Sequence, residues 1–106
     1  MRKLGLVRAG TPNAFALGIT VGHTENNDIV IEDESVSRFH AYFQQSGSSW
    51  KLVDTGSRLG TWLDEAQLRP NTATEVNDGA QLRFGKVQVT FLLPPSLLKL
   101  AVVSGK

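Results

Sequence analysis

Short apolar runs alternate with turn residues roughly every eight to twelve positions along this chain, and helical spacing of apolar residues is poor before residue 96. The runs predict strands at residues 4–9, 14–21, 28–32, 40–45, 50–54, 61–63, 81–84 and 86–93. Within Asp28-Ile29-Val30-Ile31 the two isoleucines fall on one face, and within Trp50-Lys51-Leu52 the tryptophan and leucine do. Alternation of this kind buries one face of each sheet, so an all-β sandwich is expected. Its core would hold Leu4, Leu6, Ile29, Ile31, Phe43, Leu52, Val53, Leu82, Phe84, Val89 and Phe91. Ser46-Gly47-Ser48-Ser49 and Asn77-Asp78-Gly79 read as tight reversals. Pro94-Pro95 then interrupts the pattern, and the apolar but aperiodic stretch after it reads either as a packed extension or as a linker. The expected division is a sandwich over residues 1–93 and a separate C-terminal segment over 94–106.

Composition narrows the function. With 106 residues the chain has room for one core. Eleven Lys and Arg against ten Asp and Glu leave a net charge of +1, too little basic surface for a general nucleic-acid grip, so any anion site must be local. No cysteine is present, and His23 and His40 are the only imidazoles, so no disulfide framework or metal site is expected. No run reaches the roughly 20 apolar residues of a membrane span, and the start carries no export signal, so membrane insertion is not expected and a cytoplasmic location is.

Taken in order, Gly22-His23, Asn27-Asp28-Ile29-Val30-Ile31, Val36-Ser37-Arg38-Phe39-His40-Ala41, Trp50-Lys51-Leu52-Val53-Asp54, Ser57 with Gly60-Thr61, and Asp78-Gly79 before Phe84-Gly85 resemble the signature of the forkhead-associated (FHA) domain over residues of about 4 to 93. The resemblance implies about eleven strands in two twisted, mostly antiparallel sheets. Its recognition loops, at one end, bind phosphothreonine in a partner protein, and no cofactor takes part. In the family an arginine after the first glycine, the serine of the Ser-Arg-x-His turn and groups of the Ser-x-x-Gly-Thr loop hold the phosphate. Carried onto this chain, the binding positions are His23, Ser37, Arg38, Arg58, Leu59, Gly60 and Asp64, while Gly22, His40 and Thr61 brace the loops. The chain departs from the pattern at three positions. His23 stands at the arginine, Leu59 at the asparagine before Gly-Thr, and Asp64 at the asparagine that follows. A degenerate site of this kind implies weak phosphothreonine recognition, or a module that docks or oligomerises without phosphate.

Each residue also has a plainer reading. Ser37 can serve only its own turn, and Arg38 and Arg58 can be solvated charges. Ser37, His40 and Asp54 supply the residue types of a hydrolase triad, but no Gly-x-Ser-x-Gly elbow is present, and Ser37 and His40 straddle a turn entering a strand. An interaction module is therefore expected rather than an enzyme.

Overall fold

The computed structural model describes residues 18–93 and 99–102 of the chain. Among them the alternating runs become ten strands: β1 (Ile19–Gly22), β2 (Ile29–Val30), β3 (Ala41–Ser46), β4 (Ser49–Asp54), β5 (Thr61–Leu63), β6 (Ala66–Gln67), β7 (Thr74–Val76), β8 (Gln81–Phe84), β9 (Val87–Leu92) and β10 (Lys99–Val102). They form two five-stranded sheets, ordered β2-β1-β3-β4-β7 and β10-β9-β8-β5-β6. Neighbours run antiparallel except β1 and β2, which pair in parallel. No helix occurs among the described residues, and hence none long and apolar enough to cross a membrane.

Period two decides which side chains meet between the sheets. Val21, Ile29, Ile31, Ala41, Phe43 and Leu52 from the first sheet face Leu82, Phe84, Val89, Phe91 and Leu100 from the second, all buried. Phe43 stacks on Phe91 across the gap with ring centroids 5.3 Å apart. Burying each such side chain contributes about 1.5–3 kcal/mol, and no disulfide is needed to hold the sheets. Every expected core residue within the described range is buried, whereas Leu4, Leu6 and the candidate strand 4–9 lie outside it.

Three connections are two-residue reversals. Gly47 (φ +63°) begins the β3–β4 turn and Gly85 (φ +61°) the β8–β9 turn. Asp64 and Glu65 make the third with φ of +48° and +74°, the mirror-image turn that suits twisted hairpins. Lys99–Val102, within the segment that the sequence sets apart as extension or linker, pairs along β9 and buries Leu100.

Candidate recognition loops

Four connections meet beyond the end of the sandwich where β1 and β4 finish and β3 and β5 begin. Each is locked to its neighbour by hydrogen bonds between a side chain and a backbone group. Gly22 lies where the β1–β2 loop presses on the Ser37-Arg38 turn, and a Cβ there would come within 2.1 Å of the Arg38 carbonyl oxygen. The Asn27 amide donates to that same carbonyl at 2.7 Å and to the Thr24 carbonyl at 3.0 Å. The Gly85-Lys86 turn joins them, since the Lys86 N–H donates to Ser35 Oγ at 2.8 Å.

His40 is the central brace. Fully buried, its Nδ1 accepts from the Ser37 N–H at 3.0 Å, which fixes the proton on Nε2, and Nε2 donates to the Gly60 carbonyl at 2.9 Å. One neutral ring thereby ties the β2–β3 turn to the β4–β5 loop. Burial holds its pKa below the ordinary histidine value; the Gly60 carbonyl and the Asp54 carboxylate pull upward without overcoming it. The unfolded chain therefore takes the proton first. Stability from this brace is fully present above about pH 6.5 and is lost as pH falls towards the folded-state pKa. Thermal unfolding should show a lower Tm at about pH 5 than at about pH 7.5, and His40→Gln should shrink that difference. An unchanged difference in the variant would remove His40 from the acid response.

Asp54 supports the loop from below. Its Oδ1 accepts from the Ser57 and Thr61 hydroxyls and its Oδ2 from the Gly56 and Ser57 N–H groups. Burial raises the carboxyl pKa, but these four donors outweigh it and leave the group below the ordinary aspartate value. Thr61 is fully buried, and the Ser57 hydroxyl also accepts from the Gly60 N–H at 3.0 Å.

On this frame sit the candidate ligand groups. The Arg58 N–H donates to Ser37 Oγ at 3.1 Å, and the Ser37 hydroxyl proton finds no acceptor among the described residues. Arg58 also reaches the Glu34 carbonyl through Nη2 at 3.3 Å, so Ser37 and Arg58 share one surface. Arg38 is exposed at the turn between Ser37 and Phe39, and Leu59 is half-buried beside Gly60. His23 donates its backbone N–H to the Ser37 carbonyl at 3.0 Å, while its ring Nδ1 is tied to the Asp33 carbonyl at 2.8 Å. Asp64 is not in this group. It sits in the β5–β6 turn with Oδ1 accepting from the Gln81 N–H at 2.9 Å, about 10 Å along the strand from Thr61.

The same bonds dispose of the triad. The serine hydroxyl faces Arg58 and not His40, both imidazole nitrogens are engaged with backbone, and His40 Nε2 stands 4.0 Å from Asp54 Oδ1. Sequence reasoning missed the Asn27 clamp and the Ser35–Lys86 link. Both join residues far apart in the chain through a side chain and a backbone group, which no local pattern announces.

The FHA domain family model matches residues 19–85. The chain belongs to the FHA family. Over 71 residues it is 35% identical to the FHA domain-containing protein FhaB of Mycolicibacterium smegmatis, covering 67% of this chain and 44% of that protein. It is 32% identical over 71 residues to the oxoglutarate dehydrogenase inhibitor of Corynebacterium jeikeium, covering 67% of this chain and 47% of that one. The chain thus spans less than half the length of these relatives. A solved structure from work on phosphothreonine-dependent FHA domain interactions superposes with a TM-score of 0.65 at 23% identity, over 73% of this FHA chain and 77% of that one, and shares its fold.

Proposed function

We propose that this FHA domain docks a phosphothreonine-bearing partner protein, with low affinity, at the surface shared by Ser37, Arg38, Arg58 and the Gly60 backbone. The observation that carries the reading is the Arg58 N–H to Ser37 Oγ bond, because it orients the hydroxyl and leaves its proton to donate outward beside two exposed arginines. A phosphate of about −1.5 to −2 charge is met by such donors and cations on rigid loops. Low affinity follows from His23, whose ring is held by the Asp33 carbonyl and offers at most one nitrogen where a guanidinium would offer a fork. Phosphothreonine is made where protein kinases and ATP are, so we place the module in cytoplasmic signalling.

Calorimetric titration of a phosphothreonine peptide beside its unphosphorylated form tests this. Binding of the phosphorylated form alone is expected, with Kd between about 0.1 and 1 mM, and Ser37→Ala should weaken it about tenfold or more by removing one charge-assisted bond. Equal binding of both forms would favour docking without phosphate, a reading that Phe39 supports. It is 43% exposed at the same turn and stacked on Tyr42, an apolar group offered to solvent.

A further inference from the structure

The two histidines of the chain are set up in opposite ways. His40 has both ring nitrogens engaged inside the fold and is kept neutral by burial. The half-buried His23 ring bonds through Nδ1 alone, to the Asp33 carbonyl at 2.8 Å, and Nε2 across the ring has no hydrogen-bond partner among the described residues. A carbonyl oxygen only accepts, so Nδ1 carries a proton in either charge state of the ring. The bond therefore fixes the tautomer. In the neutral ring Nε2 is a bare lone pair, and on protonation the same atom becomes an N–H donor with positive charge. The placement of the ring gives that change a site to act on. The His23 N–H donates to the Ser37 carbonyl at 3.0 Å, the Arg58 N–H donates to the Ser37 hydroxyl, and Gly22 presses on the Arg38 carbonyl beside them.

We propose that His23 is an acid-operated phosphate ligand: neutral, it sets a lone pair against the phosphate, and protonated, it takes hold of it, so docking strengthens relative to a chain without that ring as pH falls from about 8 to 6. The inference rests on the phosphothreonine reading above. At the upper end a phosphate oxygen faces Nε2 with no proton between two acceptors. At the lower end the same atom offers a charge-assisted bond, whereas a guanidinium would stay charged throughout and give no such dependence. The charged groups on the elements around the ring are of both signs. They are Glu25 and Asp28 in the β1–β2 loop, Glu32, Asp33, Glu34 and Arg38 with the buried His40 in the β2–β3 connection, and Arg58 in the β4–β5 loop. Asp28 accepts from the Thr20 N–H at 2.9 Å, and the Asp33 carboxylate accepts from the Ser35 N–H and hydroxyl.

NMR titration with a phosphothreonine peptide, run on the unaltered chain and on His23→Gln at steps from about pH 8 to pH 6, tests the gate. The phosphate sheds its second charge near pH 6 and the His40 brace weakens in acid, but both effects are common to the two proteins. Glutamine keeps a donor and an acceptor at the position and does not titrate, so the ratio of the two affinities isolates the ring. That ratio should rise about fivefold or more in favour of the unaltered chain, the size of one hydrogen bond to a charged group on a partly protonated ring. The ring nitrogen shifts give a second reading without any peptide, and in the neutral ring they should show the proton on Nδ1. A constant ratio, or a neutral ring with its proton on Nε2, overturns the gate while phosphothreonine binding stands. Absence of peptide binding by the unaltered chain at every pH overturns the phosphothreonine reading and the gate with it.

Discussion

Replacing Asp54 by alanine should lower the stability of the whole domain by about 3–5 kcal/mol, the largest loss expected from any single polar side chain among the described residues. The carboxylate is 2% exposed and gathers the Ser57 and Thr61 hydroxyls and two backbone N–H groups. Alanine would strand these donors at once. Thr61 is fully buried and can find no water, while Gly56 and Ser57 would have to open the loop to do so. Opening it also pulls Gly60 from His40, so the loss spreads to the Ser37 turn. Asp54→Asn keeps one acceptor oxygen but turns an NH2 group towards groups that themselves donate, and it should fall between the two. Urea unfolding of the three proteins measures this, and a loss under about 1 kcal/mol for the alanine variant would mean that water replaces the carboxylate at little cost.

Much of this fold could be read from the alternation of Ile29 with Ile31 and along Gln81–Phe84 and Val87–Leu92, because burial on one face leaves a period of two in the sequence. Two of the strands that escaped notice, β6 and β7, show little of such a face. Both residues of β6 are exposed, its turn uses Asp64 and Glu65 in place of glycine or asparagine, and β7 is an edge strand with only Val76 buried. β2 is shorter than the apolar run around it because parallel pairing with β1 covers only Ile29 and Val30, after which Ile31 N–H turns to the Gly22 carbonyl. At the site, the ordered motifs name Ser37, His40 and Gly60-Thr61, and the structure joins them by direct bonds. Motif spacing could not separate Asp64 from that cluster. Its distance from the cluster is set by the length of β5, and its carboxylate belongs to the hairpin.

The paired substitution His23→Arg with Leu59→Asn should strengthen binding of a phosphothreonine peptide about a hundredfold or more over the unaltered chain. Position 23 leaves the backbone beside Ser37, since its N–H donates to the Ser37 carbonyl, so a side chain there starts next to the proposed phosphate seat. The histidine ring is turned to the Asp33 carbonyl instead, whereas arginine has the reach and the fork to add two parallel charge-assisted bonds. Leu59 follows Arg58 and precedes Gly60, and as a half-buried apolar group it leaves a peptide backbone group desolvated without a partner, at about 1–3 kcal/mol. Two gains of this size, each about 1.4 kcal/mol or more, multiply to about two powers of ten. Asp64→Asn is the control. Asparagine keeps the Oδ1 acceptor for Gln81 and tolerates the positive φ of the turn, so it should leave affinity unchanged. If the unaltered chain already binds at low micromolar Kd and the paired change adds nothing, Arg38 and Arg58 have taken over the role of the missing arginine. If Asp64→Asn alone strengthens binding several-fold, the carboxylate acts on the phosphate through space, and the hairpin turn is no barrier to its field.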